Sequence, residues 1–460
     1  YYYYTSNPDT MDQRLDLESG KIHELNKPAP GTWRFREDPA LCCIYRVPNC
    51  MRQVNPEAYT PQTVLIGPLH HSLKSKALKS LGDMTDTKSM DYLNMERHKK
   101  MYLAKFAKRV GGENSIDGFR RAIEEDEELI RESYSESTAW IESPEFVEMI
   151  LHDSVFIIEL ILRNFETKQR VKTGDPLMDE TCQGKVVKGD LTLLENQLPY
   201  FLLDKLFEPI IHTLFHQGDI TFRKLVIHFF LDCSQGPIRD YSNFSHFTDL
   251  LRCVRVETLP LYYFGEFPDM YEIYHADKLH RGGVTFNVVE KSLSMDVGFK
   301  NGCLNIPCLW IDDDSEMTLR NMMALEQCHY AYNTHVCNYI FFMDSLIDSQ
   351  NDVALLVEKG IIKHMLGNHG SVATMVNRLG LGLTDFGSYY SVIAKDVKSY
   401  YHNSWNKSLA VLKSVYFNNP WRGTATVAAT LLLLLTLIQT VTSVVQVLRQ
   451  NTPVQVLSSP

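Results

Sequence analysis

Apolar residues recur at three- and four-residue spacing through most of the chain, the pattern of helices that pack one face against a core. Ile116, Phe119, Ile123, Ile130 and Tyr134 share a face, and the acidic run 124–128 is assigned to water. Residues 146–162 are apolar nearly all round, so they are expected to form a central buried helix, opened by Ser143 with Pro144 in its first turn. Asp190 is expected to cap a further helix over 191–207, where Leu194, Leu198, Phe201 and Leu202 keep helical spacing. Helices resume from about Thr318, with Asp352 as an N-cap and Gly360 as a stop. A last helical pattern carries Tyr389, Ile393, Val397, Tyr400, Leu409, Leu412 and Tyr416.

Shorter runs break this rhythm. Residues 42–47 and 63–66 are β-compatible and closed by Pro48 and by Gly67-Pro68, while 284–311 alternates apolar runs with turns such as Lys300-Asn301-Gly302, a candidate small sheet or meander. Residues 1–38 are polar and hold Pro8, Pro28 and Pro30, so they read as an extended or disordered leader. No repeat and no Pro- or Ser-rich linker divides the chain beyond this leader, so 39–417 is expected to be one composite body. The fold class expected is predominantly α with a small β component, an α+β helical body followed by one transmembrane helix and a short tail over 449–460.

That terminal helix rests on residues 425–448, 24 positions without a charge that include the run 431–435. A helix of this length reaches about 36 Å, against a hydrocarbon core of about 30 Å. Its 13 Leu, Ile and Val residues favour insertion by an upper bound of about 4–8 kcal/mol, offset by Gln439 and Gln446. A buried core helix of this length would carry a charged edge. Trp421 and Arg422 fall where an aromatic and cationic membrane-interface belt is expected. Lys407, Lys413 and Arg422 precede the span and Arg449 alone follows it, so the positive-inside rule assigns the body to the cytoplasm.

The net charge of −10 over 460 residues, without a Lys/Arg block, removes compositional support for a nucleic-acid grip. Ten scattered cysteines lack the density of a secreted disulfide scaffold and fit a reducing compartment. The chain contains no phosphate loop, no GxSxG elbow, no HExxH and no CxxC. Gly380-Leu381-Gly382 has Asp385 in place of the third glycine of a dinucleotide motif and follows a helical pattern, so it is rejected. His212 and His216 stand four apart with no third ligand assigned, which favours a surface or capping role over a metal. Cys303 and Cys308 are wrongly spaced for a zinc knuckle, and Asp312-Asp313-Asp314 reads as a solvated strand-end turn. No cofactor and no metal is assigned.

Two carboxylates stand out. Asp153 and Glu195 each fall in a strongly apolar helical pattern, where an unpaired charge costs several kcal/mol. Each therefore needs a cation, with Arg46 or Arg320 as candidates. Such a pair serves either as a structural lock, the favoured reading, or as a catalytic acid.

Several strings then point to a known family. Ile44-Tyr45-Arg46-Val47-Pro48, Ala58-Tyr59-Thr60-Pro61 and Val64-Leu65-Ile66-Gly67-Pro68-Leu69-His70-His71 open the series. Glu145-Phe146-Val147-Glu148-Met149-Ile150-Leu151-His152-Asp153 and Asp190-Leu191-Thr192-Leu193-Leu194-Glu195-Asn196-Gln197-Leu198-Pro199 continue it. Leu304-Asn305-Ile306-Pro307, Asn321-Met322-Met323-Ala324-Leu325-Glu326-Gln327 and Asn419-Pro420-Trp421 complete it. In this order, over about 41–445, they resemble the plant family called domain of unknown function 247, also described as UPF0481-type membrane proteins. The chain departs from that pattern at Leu69, where an aromatic residue is expected, and at Ser154, where glycine is common.

The resemblance implies a mainly helical, single-pass plant membrane protein without an established catalytic activity. Grass members resemble the proposed male determinants of gametophytic self-incompatibility, which implies a role in pollen–stigma recognition. The leading expectation is a non-enzymatic recognition or signalling component. Its implied partners are a protein, with another family member or a signalling receptor as candidates, and membrane lipid around the terminal helix, with no nucleic acid. Specificity is expected in the loop-rich stretches 165–188 and 232–280 and in the leader. The alternatives are an enzyme with a site around Asp153, Glu195 and His70 or His71, or a structural membrane tether.

Overall fold

The computed structural model describes residues 29–35, 38–81, 85–167, 171–215, 220–231, 243–260, 272–291, 293–384, 387–411 and 420–450. Most of the leader, the tail 451–460, His216, Lys413 and the Arg422 side chain lie outside the described residues.

Helices dominate, as the apolar spacing requires. The longer ones are, in order, α1 (His71–Lys79), α2 (Thr87–Arg109), α3 (Glu113–Glu125), α4 (Ser143–Glu166), α5 (Thr181–Asp190), α6 (Tyr200–Phe207), α7 (Phe222–Phe230) and α8 (Phe247–Val256). The second half adds α9 (Ser315–His329), α10 (His335–Leu346), α11 (Gln350–Glu358), α12 (His369–Leu379), α13 (Tyr390–His402), α14 (Ser404–Val411) and α15 (Pro420–Gln450). Among the described residues five strands, β1 (Thr285–Val289), β2 (Gly298–Lys300), β3 (Cys303–Pro307), β4 (Leu309–Ile311) and β5 (Ile362–His364), complete the α+β class.

The central helix is α4. Pro144 occupies its first turn, and every residue from Phe146 to Leu162 except Glu148 and His152 is buried. α2, α3 and α7 pack against it. α2 starts on Asp86, whose carboxylate accepts from the Ser89 amide at 3.0 Å, an N-cap that satisfies one orphan donor of the first turn. One hydrophobic cluster runs from Cys42 to Val397 through all of these elements.

The strands lie where the alternation places them, but they do not form a meander. β3 is the middle strand, parallel to β1 and antiparallel to β2. β4 pairs in parallel with β5, a strand that follows α11 and that three residues of sequence do not announce. α11 opens with a capping box in which Ser349 is the N-cap and Asp352 occupies the third position, so the expected Asp352 cap is displaced by three residues. Gly360 follows the helix end with φ of 74°, the left-handed stop that glycine permits.

Four expectations are corrected. Residues 42–47 and 63–66 form no strand; they contribute an isolated bridge, Ile44 to Tyr134. The helix expected over 191–207 is confined to Tyr200–Phe207, because Pro199 disfavours helical geometry at Leu198. Asp190 therefore ends α5 instead of capping a helix after it. The final pattern is split into α13 and α14, with Leu412 and Tyr416 outside the described residues.

α15 includes Gly423–Leu448, a helix long and apolar enough to cross a membrane, none of it buried against the body. Trp421 at its start is exposed.

Candidate functional site

Residues 44–48 and 60–67 flank the short helical turns Asn49–Arg52 and Pro56–Tyr59 and belong to no strand, yet several of their amides are buried and must be satisfied. Side chains do this. The Asp190 carboxylate accepts from the amides of Gln62 and Thr63 at 2.7 Å each and of Val64 at 2.8 Å, and from the Thr63 hydroxyl at 3.1 Å. Asn196 accepts from the Ile66 amide at 2.7 Å and donates to the carbonyls of Val64 and Asp190 at 2.9 and 3.0 Å. Asp153 on α4 accepts from the Gly67 amide at 2.8 Å, and Glu195 from the Val47 amide at 2.6 Å. The Leu-Leu-Glu-Asn-Gln-Leu-Pro string is thus a non-helical turn whose polar side chains replace a missing strand ladder.

The charges close this arrangement. Arg46 donates to both oxygens of Glu136 at 2.5 and 2.7 Å, to Glu195 Oε2 at 3.2 Å and to the Leu69 carbonyl at 3.1 Å. Arg52 pairs with Glu195 Oε1 from the other side. Lys99 of α2 donates to Asp153 Oδ1 at 2.6 Å, to Glu96 at 2.7 Å and to the Leu65 carbonyl at 2.5 Å. Burial alone would lower the Lys99 pKa, but the carboxylates of Asp153 and Glu96 outweigh it and hold the ammonium above its ordinary value.

Of the residues singled out in sequence, Arg46 and Glu195 are brought together, and Asp153 holds the same extended segment at Gly67 while paired with Lys99. Arg320 is not part of this group. It is buried on α9, donating to Glu316 at 2.8 Å and to the Arg378 carbonyl at 3.0 Å. Glu195 lies in the turn and not in a helix. Lys99, Arg52 and Glu136 were missed; a lysine next to Lys100 on an amphipathic helix carries no mark of burial. The same solution recurs at Glu326, which accepts from Arg252 at 2.9 Å and from the amides of Val336 and Cys337 at 3.0 and 2.9 Å, tying α9 to α8 and α10.

Every carboxylate oxygen of Asp153 and Glu195 is thus engaged, which leaves neither poised to move a substrate proton. His70, beside them, is buried; burial and the Arg46 and Arg52 charges push its pKa down to about 3, so it is neutral near pH 7 and a weak base. His71 pairs with Glu145 at 2.8 Å. Gly67 stands at the junction with φ of 70°, and a Cβ there would meet the Gln197 carbonyl at 2.7 Å. Gly67→Ala is expected to cost about 1–3 kcal/mol, read as a lowered melting temperature of the purified chain.

His212 lies on a single helical turn, Ile211–Leu214. Asp312 accepts from the Ser315 hydroxyl at 2.6 Å and Asp314 pairs with Lys185 at 2.8 Å, a turn at the start of α9. Among the described residues no group of three or more His, Cys, Asp or Glu side chains is placed to hold a metal.

Away from the lock, α5, α7, α8, α9 and β4 surround a cavity of about 890 Å³. Phe230, Leu251, Val254 and Leu319 supply apolar wall, and Arg255 lies on it.

The model of the DUF247 family, described as plant protein of unknown function, matches residues 44–435. The UPF0481 protein At3g47200 of Arabidopsis thaliana is 25% identical over 447 residues, covering 89% of this chain and 88% of that protein. The putative UPF0481 protein At3g02645 of the same plant is 31% identical over 165 residues, 35% of this chain and 31% of that protein. No solved structure matches.

Proposed function

This chain belongs to the plant DUF247 family, and from that premise we propose that it is a membrane-anchored recognition or signalling component that works by contact, without catalysis. The observation that carries the anchor is the helix Gly423–Leu448, wholly exposed along its apolar length, which water would not tolerate and lipid would cover. The non-catalytic part is supported by the lock, where Arg46, Arg52 and Lys99 engage both candidate carboxylates. Lys407, Lys413 and Arg422 before the span favour a cytoplasmic body. The finer reading, a pollen-side determinant of self-incompatibility acting on a protein partner, is supported by the family resemblance.

The anchor predicts that the full chain resists alkaline extraction from membranes of plant cells, and that a chain ending at residue 419 is released with an unchanged melting temperature. Recovery of the full chain in the soluble fraction would end the reading. The sequons Asn243-Phe244-Ser245 and Asn406-Lys407-Ser408 report the side: a cytoplasmic body leaves both unglycosylated and the N-terminus open to protease. Partner choice should follow the stretch 165–188 when it is exchanged between variants of the protein; unchanged choice would exclude that stretch as the determinant.

A further inference from the structure

Arg255 sits near the C-terminal end of α8 and faces the cavity between α5, α7, α9 and β4. Its Nη1 donates to the Leu251 carbonyl at 3.0 Å and approaches the Met322 sulfur at 3.6 Å. Among the described residues no carboxylate forms an ion pair with it, and its Nε and Nη2 donate to no protein acceptor. The arginines of the interior are otherwise met by an anion or by several carbonyls: Arg46 by Glu136 and Glu195, Arg252 by Glu326, Arg131 by Glu127 and the carbonyls of Thr138 and Ile141. Arg255 is half-buried, so its free donors open onto the cavity, where an anion would find a cation with no carboxylate already paired to it.

The remaining charges of the cavity lie elsewhere on its wall. Asp314 is taken by Lys185 at 2.8 Å, Asp312 by the Ser315 hydroxyl, and Lys291 reaches Asp296 at 3.8 Å. Lys188, Glu257 and Glu290 also line it, and the Lys188 ammonium stands 5.7 Å over the Phe229 ring. Burial lowers the Arg255 pKa to about 10, so it is still a cation at neutral pH. The volume is that of a small-molecule site, and its wall is mixed, with charged side chains beside the apolar patch of Phe230, Leu251, Val254 and Leu319.

We propose that this cavity binds a small carboxylic acid with an apolar body, its carboxylate on the Arg255 guanidinium and its apolar part against Phe230, Leu251, Val254 and Leu319. The guanidinium fork matches two carboxylate oxygens, and its unused Nε and Nη2 donors form the edge that such a pair requires. The inference is independent of the membrane reading.

The test is calorimetric titration of the full chain in lipid nanodiscs with naphthalene-2-carboxylate, beside naphthalene-2-carboxamide, acetate and empty nanodiscs. One carboxylate per chain is expected to bind, with the amide and acetate at least tenfold weaker. Arg255→Met should abolish binding while leaving the melting temperature of the ligand-free chain equal or higher, since it removes an uncompensated cation. No binding above empty nanodiscs, equal binding of the amide, or undiminished binding by Arg255→Met would overturn the proposal. If Arg255→Met fails to fold, Val254→Phe, which fills the cavity while keeping the cation, decides: retained affinity overturns the site, and lost affinity in a folded chain supports it.

Discussion

Glu195→Ala is expected to destabilise the body by about 3–5 kcal/mol, because it leaves Arg52 without its carboxylate, takes one of two carboxylates from Arg46 and strands a backbone donor at once. Arg46 loses its Nη1 partner, Arg52 loses the oxygen it pairs with, and the Val47 amide loses its acceptor. Glu195 is 1% exposed, so water does not replace the lost carboxylate. Denaturant unfolding of the purified chain measures the loss, and Glu195→Gln should fall only part of the way, since its carbonyl keeps one acceptor. The same pair of variants separates a lock from a catalytic acid. A Glu195→Gln variant that melts like the wild type while losing a biological readout would contradict the lock.

Acidification from pH 7 to 5 is expected to cost up to about 6 kcal/mol, about 2 kcal/mol for each of three buried histidines. Burial pushes His70 down to about 3 and His246 and His335 down to about 4, with the Arg46 and Arg52 charges adding to the shift at His70 and the Arg252 charge to that at His335. The folded chain thus leaves these rings neutral where the unfolded chain, with histidines near 6.5, takes up protons. Stability is full above pH 6.5 and is lost as the pH falls toward the folded values. Glu326 and Asp190 work against this, since burial raises both carboxyls and protonation below neutrality favours their folded forms. Asp175, Asp352 and Glu316, all held low, lose their contributions only at more acid pH. Urea midpoints at pH 7, 6 and 5 should fall monotonically, and His70→Gln should remove about 1.4 kcal/mol per pH unit from the slope. A flat profile would show that the rings meet solvent before the fold opens.

The His246 ring illustrates how such groups are fixed. Its Nδ1 accepts from the Asp249 amide as the N-cap of α8, so its Nε2 carries the proton and donates to the Cys43 carbonyl at 3.0 Å. Protonating Nδ1 would break the cap, which links the acid response of this ring to the packing of α8 against residues 42–47.

By itself the sequence determined those features that depend on near neighbours or on length. Helical periodicity needs only the side chains three and four residues apart, so α4, α9, α11 and the apolar stretch of α15 were legible within a few residues of their ends. The requirement that a carboxylate such as Asp153 or Glu195 have a partner was legible too, because desolvation is a property of the group and of its apolar surroundings. Which partner was not. Lys99 lies 54 positions from Asp153, and Arg46 lies 149 from Glu195, so only the packing of α2 on α4 and the return of the 190–197 turn onto residues 44–67 bring them together. That packing also overrode two local expectations. The β-compatible run 63–66 became an irregular segment because Asp190 and Asn196 satisfy its amides, and the helical spacing of 191–198 yielded to a turn whose polar side chains were needed elsewhere. The unpaired guanidinium of Arg255 belongs to the same class: an arginine in an amphipathic helix looks solvated in sequence, and only the tertiary structure places it on a cavity wall without an anion.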